Sequence, residues 1–175
     1  KILFGITSLT LGGAEKVLVD LANELSKKYD VTILTIYAKG EFEKKLNHNV
    51  NLKTIYNFQF NDMSNIKKKI TALKLLFFKK YFYKKYIKKD YDIEIAFLEG
   101  PITRLFGVKN KDTRKIAWVH NDITKVFGNN IKAKIKVAID KKTYGKYQTL
   151  VFVSKDNKEK FTEIYKDIRI FRASA

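Results

Sequence analysis

The apolar and polar positions of the chain alternate between two periods. Residues 2–6 form a short apolar run rich in β-formers, which predicts a strand buried on both faces. Residues 14–28 place Val17, Leu18, Leu21, Ala22 and Leu25 on one side of an amphipathic helix. Residues 31–37 read as a second strand, reached by a turn at Tyr29-Asp30, and residues 51–56 alternate as a weaker one. Residues 64–89 carry one long helical pattern, in which Ile66, Ile70, Leu73 and Phe77 share a face that suits the core. Residues 93–98 are a strand, and Gly100-Pro101 opens a helix, since proline fits a first turn. Strands at 115–119 and 150–153 bracket a helix at 132–144. Ser154 caps a last helix running to Tyr165, with Asp156 and Asn157 in its first turn, and residues 168–171 suit one more strand. Strands alternating with helices predict an α/β fold: a mostly parallel sheet of about six or seven strands, wrapped by helices on both faces. No internal repeat and no domain boundary stands out, and residues 38–63 are the most irregular.

Composition sharpens this picture. The 175 residues suit a single domain, and 45% hydrophobic content excludes collagen-like and disordered classes. There is no cysteine, hence no disulfide framework and no thiolate metal site. The apolar stretches fall well short of the ~20 residues that a bilayer span needs. The apolar opening leads into Gly12-Gly13 and a helix rather than a cleavage site, and the chain starts at Lys1, which leaves room for residues ahead of it.

Charge is the outlier. The formal net charge is +18, from 36 Lys plus Arg against 18 Asp plus Glu. Such a field attracts polyanions: nucleic acid, anionic lipid or phosphorylated substrate. Only Arg104, Arg114, Arg169 and Arg172 are arginines, so the surplus acts as point charge rather than as bidentate base readout. The densest cluster spans residues 66–89, with ten lysines and no acid, interleaved with Phe77, Phe78, Tyr81, Phe82, Tyr83 and Tyr86. Lysines among aromatics suit an interfacial helix on anionic lipid, with Lys79, Lys80, Lys84, Lys85, Phe78 and Phe82 as its contacts. The same pattern also suits a solvated helix whose lysines snorkel over its core face, and no nucleic-acid motif accompanies it.

Candidate chemistry sits where strands end. Gly12 and Gly13, after the first strand, open a helix whose backbone N–H groups an anion can approach; a plain tight turn would use the same glycines. The segment is neither GxGxxG nor GxxxxGK[ST]. His120, in Trp118-Val119-His120-Asn121-Asp122, leaves a strand at the ligand edge and can hydrogen-bond a phosphate or sugar hydroxyl, or act as acid or base; it also reads as a surface histidine beside an Asn-Asp turn. Glu99, before Gly100-Pro101, offers a carboxylate to a polar substrate or to the helix that follows. No HxxxH, HExxH or GxSxG occurs, so neither a metal site nor a nucleophile elbow is suggested.

Taken together, KILFGITSLTLGGAEKVLVDLANELSKKYDVTILT, KIAWVHND and LVFVSKDNKEKF resemble, in order and spacing, the N-terminal half of family 4 glycosyltransferases of GT-B architecture. The resemblance implies a single Rossmann-like domain over residues 1–175, the acceptor-side lobe of a two-lobed enzyme whose donor-binding C-terminal lobe, with its Glu-x7-Glu motif, is not in this chain. It implies retaining transfer of a sugar from a nucleotide-sugar co-substrate to a saccharide or lipid-linked acceptor in bacterial-type cell-surface polysaccharide or glycolipid synthesis, with no metal and no cofactor. Gly12 and Gly13 would lie near the donor diphosphate or sugar, and His120 would be the cleft histidine. Glu99, Arg104, Asn121 and Asp122 would be acceptor-side candidates. This lobe alone would have little or no transferase activity. With the lysine–aromatic cluster, the resemblance implies a cytoplasmic protein, peripheral at the inner face of the cell membrane. Two rivals remain: a non-catalytic α/β module binding a polyanion, whether nucleic acid or anionic lipid, and a flavodoxin- or response-regulator-type module, whose acidic cluster is missing because Asp20, Asp30 and Asp62 are dispersed.

Overall fold

The computed structural model describes residues 1–87, 91–121, 131–166, 168 and 173–174. Among them the strands β1 (Ile2–Ile6), β2 (Val31–Tyr37), β3 (Val50–Tyr56), β4 (Ile93–Ala96), β5 (Arg114–Val119), β6 (Thr149–Phe152) and the two-residue β7 (Ala173–Ser174) make one parallel sheet in the order β3-β2-β1-β4-β5-β6-β7. The helices are α1 (Gly13–Leu25), α2 (Asn65–Phe77), α3 (Lys79–Tyr86), α4 (Pro101–Phe106), α5 (Ile131–Tyr144) and α6 (Lys155–Ile164), with a 3₁₀ turn at Glu41–Lys45. This is the three-layer, Rossmann-like α/β architecture that the strand–helix alternation implies.

The sheet is covered on both sides, which is why β1 and β2 are apolar almost throughout and buried at every position. Their side chains alternate between two cores. Ile2, Phe4, Ile6, Val31 and Ile33 meet Leu18, Val19 and Ala22 of α1 and Phe42 of the 3₁₀ turn. Leu3, Leu34 and Ile36 face the other layer, with Leu75 of α2, Tyr83 of α3, Ile102 and Phe106 of α4, Tyr144 of α5 and Phe161 of α6. Val19 therefore takes the core position that the helical pattern assigned to Val17, which is exposed. Sequence order runs outward from β1 to β3 on one side and from β4 to β7 on the other, so the topological switch lies between β1 and β4.

Two expectations are corrected. The helical pattern over residues 64–89 is not one helix: it breaks at Phe78, whose φ of −103° and ψ of 24° end α2 and begin α3, and residues 88–90 lie outside those described. A straight helix would turn Tyr83 about 80° away from Leu75; the break re-phases the chain so that both point into the same core. The face shared by Ile66, Ile70, Leu73 and Phe77 is exposed, and Thr71 and Leu75 on the opposite side of α2 are buried. A two-residue strand is found at Ala173–Ser174; of the strand expected at 168–171, Ile168 is outside any strand and residues 169–171 lie outside those described.

Beneath α3 and α4 the sheet carries a buried ion pair. Glu94 of β4 and Lys115 of β5 are cross-strand partners, 0% and 1% exposed, with Lys115 Nζ 2.5 Å from Glu94 Oε2. The ammonium also donates to the Phe106 carbonyl at 2.8 Å and to Tyr83 Oη at 3.1 Å, while Tyr83 donates to Glu94 Oε1 at 2.5 Å. Every charge is matched inside the protein, as burial demands.

Candidate functional site

Parallel strands deliver all their carboxyl ends to one edge. Gly12 follows β1, Glu99 follows β4 and His120 follows β5, three strands adjacent in the sheet, so these residues gather on one rim beside the topological switch. Fixed contacts shape that rim. The Thr7 carbonyl accepts the N–H groups of Ile36 and Tyr37, and the Leu9 carbonyl accepts that of Phe42 at 2.8 Å. Gly40 packs onto the Leu9 backbone so closely that a Cβ there would lie 2.3 Å from the Leu9 carbonyl carbon, so any side chain at position 40 would displace the glycine loop.

Gly12 is the N-cap of α1 and Gly13 its first residue; both are exposed, and no side chain caps the helix by hydrogen bonding. The Glu15 carboxylate folds back over Gly12, so close that a Cβ on Gly12 would meet Glu15 Oε2 at 2.2 Å. The positive end of α1 thus already faces an anionic group from its own chain, and a ligand anion there would displace a flexible side chain.

His120 stands at the end of β5 in an aromatic setting. Its ring centroid lies 4.9 Å from that of the fully buried Phe97 and 5.8 Å from that of Trp118, nearly parallel to the latter at 21°. His120 Nε2 is buried and has no hydrogen-bond partner. Burial pushes the imidazole below its ordinary value, with the Glu99 carboxylate partly opposing. The ring is neutral at pH 7 and holds one unused hydrogen-bonding nitrogen.

Glu99 does not cap α4. Its carboxylate spans the rim to accept the backbone N–H of His120 at 2.5 Å, the N–H of Asn121 at 2.8 Å and the Asn121 side-chain amide at 2.7 Å. Gly100, at φ 94°, lets the chain reverse there so that Glu99 faces β5 while Pro101 starts α4. Asn157, in the first turn of α6, donates from Nδ2 to the Asn121 carbonyl at 2.7 Å, and its Oδ1 is buried without a partner. The Ser154 hydroxyl caps that helix by accepting the Asn157 N–H at 3.1 Å. Glu99 and Asn157 thus clamp residues 120–121 from two sides. Composition signals the Ser154 cap; the tether from Asn157 shows only once β5 and α6 are side by side.

The other expected site residues are placed as follows. Arg104 forms a fork with Asp140, Nε to Oδ1 at 2.7 Å and Nη2 to Oδ2 at 2.9 Å, which ties α4 to α5. Asp122 lies outside the described residues. Phe78 is exposed at the α2–α3 break, Lys80, Lys84 and Lys85 are exposed, and Lys79 is half-buried. Phe82 packs inward against the rings of Tyr56 and Tyr86 and does not project with Phe78. A polar cavity of about 350 Å³, lined by Asp30, Asn51, Lys53 and Tyr91 among others, opens at the amino ends of β1–β3, the edge opposite His120.

Fold and rim together define a doubly wound α/β domain whose strands' carboxyl ends gather a helix N-terminus and a buried histidine on one edge. No family model matches the chain. The chain is similar, at 38% identity over 81 residues, to the GalNAc-alpha-(1->4)-GalNAc-alpha-(1->3)-diNAcBac-PP-undecaprenol alpha-1,4-N-acetyl-D-galactosaminyltransferase of Campylobacter jejuni. The matched stretch covers 43% of this chain and 22% of that protein. Part of the chain is therefore related to a glycosyltransferase whose named acceptor is a lipid-linked saccharide. Among the described residues, no helix is long and apolar enough to cross a membrane.

Proposed function

We propose that the chain is the acceptor-side lobe of a retaining, family 4-type glycosyltransferase of GT-B architecture. It would transfer a sugar from a nucleotide-sugar to a saccharide or lipid-linked acceptor in cell-surface polysaccharide or glycolipid synthesis. The observation that carries this reading is the partial similarity to a transferase named for a lipid-linked acceptor. The rim supports it. Gly12 and Gly13 offer exposed backbone at the positive end of α1, suited to the donor diphosphate or its sugar. His120, neutral and with Nε2 unpartnered, suits a hydrogen bond to a sugar hydroxyl or phosphate oxygen rather than an ionic contact. Asn121 presents its remaining side-chain capacity beside it, while Glu99 serves by holding both in place. Catalysis would rest on positioning and on stabilising the departing nucleotide diphosphate, with no cofactor and no metal. A lipid-linked acceptor places the enzyme at the cytoplasmic face of the cell membrane.

The reading is tested by expressing the chain with its natural C-terminal continuation. Transfer from a panel of labelled nucleotide-sugars to a polyprenyl-diphosphate-linked saccharide is then followed, with the anomeric configuration of the product read by NMR. Retained configuration is expected, along with no turnover by residues 1–175 alone. His120→Ala should lower kcat by about 10²-fold, the scale of one lost transition-state hydrogen bond. Absence of transfer with every donor, together with saccharide-independent and salt-sensitive binding to nucleic acid, would instead establish the polyanion-binding module that the net charge of +18 favours.

A further inference from the structure

The outward side of α2 is the largest discrepancy between sequence pattern and structure. Ile66, Ile70, Leu73 and Phe77 recur at helical spacing and form one stripe along α2, and they are 72%, 46%, 51% and 76% exposed. Phe78, at the break, and Tyr81, in α3, are also exposed, at 61% and 57%. Scattered apolar residues on a surface need no explanation, but four on one face of a single helix do. At about 100° per residue, Lys69 borders the stripe on one side and Lys67 and Lys74 on the other. Lys67 and Lys68 lie over the rings of Phe58 and Phe60, 4.3 and 4.5 Å from the centroids, whereas Lys69, Lys74, Lys80 and Lys84 point into solvent. Neither α2 nor α3 contains an acidic residue.

We propose that this stripe, with its lysine borders, is a docking surface for an anionic lipid bilayer. The bilayer is the occupant that takes both components: acyl chains and the headgroup boundary accept Ile66, Ile70, Leu73 and the Phe77-Phe78 knuckle, while phosphates accept the lysines. A nucleic acid would use the lysines and leave the aliphatic side chains in water. A second copy of the chain would bring two bodies of net charge +18 together. With 13 residues, α2 is about 20 Å long and would lie in the plane of the interface. The sequence pattern put Phe82 on the lipid and Ile66, Ile70, Leu73 and Phe77 in the core; the structure exchanges these roles. The purpose of the surface rests on the acceptor-lobe reading, which calls for an acceptor in a membrane, but docking itself needs no donor and no acceptor.

Co-sedimentation of the chain with POPC vesicles and with POPC/POPG vesicles (7:3) tests the proposal. Binding is expected to the anionic vesicles only, weakening as salt rises. The triple variant Ile70→Ser, Leu73→Ser, Phe77→Ser removes exposed groups and should keep the wild-type circular dichroism and melting curve; its affinity for the anionic vesicles should fall by roughly tenfold or more. The quadruple variant Lys69→Gln, Lys74→Gln, Lys80→Gln, Lys84→Gln should lose at least as much. In Phe77→Trp, a blue-shifted emission that appears only with anionic vesicles would place residue 77 in the interface. Three results would overturn the proposal: no binding to anionic vesicles at low salt, unchanged binding by the serine variant, or light scattering showing an oligomer that the serine variant dissolves. Vesicle binding without sugar transfer by the longer protein would remove the transferase reading and leave the docking surface; transfer without vesicle binding would do the reverse.

Discussion

Burial, more than any neighbouring charge, sets the character of His120. The ring lies against Phe97 and Trp118, its Nε2 is buried and unpartnered, and desolvation disfavours the imidazolium more than Glu99 restores it. By NMR, His120 should titrate below 6.5, and Glu99→Gln, which removes the opposing charge, should move it lower still. The sign carries over to stability. With the folded value depressed, the unfolded chain binds more protons, so the contribution is complete above pH 6.5 and declines as pH falls from there through the folded value. His120→Phe should flatten that part of the stability–pH curve; an unchanged slope would mean that the ring is hydrated. At this scale the sequence was half legible. His120 and Glu99 were recognisable as rim residues from their places at strand ends, but Glu99 binding two backbone N–H groups of the next strand was not. That contact joins residues 21 and 22 apart in sequence, and no local pattern encodes it.

At the scale of elements, the Tyr83–Glu94–Lys115 cluster fixes how α3 sits on the sheet. Lys115 is held below its ordinary value by burial, against the pull of Glu94, and Tyr83 is pushed well up by burial and then by its bond to Glu94. Lys115→Met leaves a buried carboxylate without its cation and should cost about 3–5 kcal/mol in urea unfolding. Adding Glu94→Leu should recover most of that loss, because an apolar pair of similar volume replaces the ion pair. If the double variant were as unstable as the single one, the pair would be needed for packing rather than for charge balance. Strand and helix identities were readable because apolar runs and helical stripes are local. The orientation of α2 was not, since periodicity reports that a helix has an apolar stripe and is silent on whether protein covers it. In α2 the covered side carries Thr71, whose hydroxyl lies 2.9 Å from Tyr37 Oη, and Leu75.

For the whole molecule, a net charge of +18 on 175 residues means self-repulsion in the folded state. Raising NaCl from about 10 mM to about 300 mM shortens the Debye length from roughly 30 Å to below 10 Å and should raise Tm by a few degrees in a calorimetric melt. A falling Tm would show that the surface ion pairs, such as Lys16–Asp20 and Lys160–Asp156, outweigh the repulsion.

Consecutive apolar residues in β1 and β2, the glycine-opened α1, the proline-started α4 and the Ser154 cap were settled by local chemistry alone. With them came the parallel sheet and the common rim, since a crossover connection lets each strand run the same way as the one before it. Tertiary packing decided the rest: which stripe of α2 is covered, where that helix breaks, which charges are buried as partners, and which rim side chains are bound to backbone instead of left open. Those outcomes depend on what a second element, distant along the chain, brings to the contact, and a hydrophobic stripe satisfies the same periodicity whether a core or a bilayer receives it.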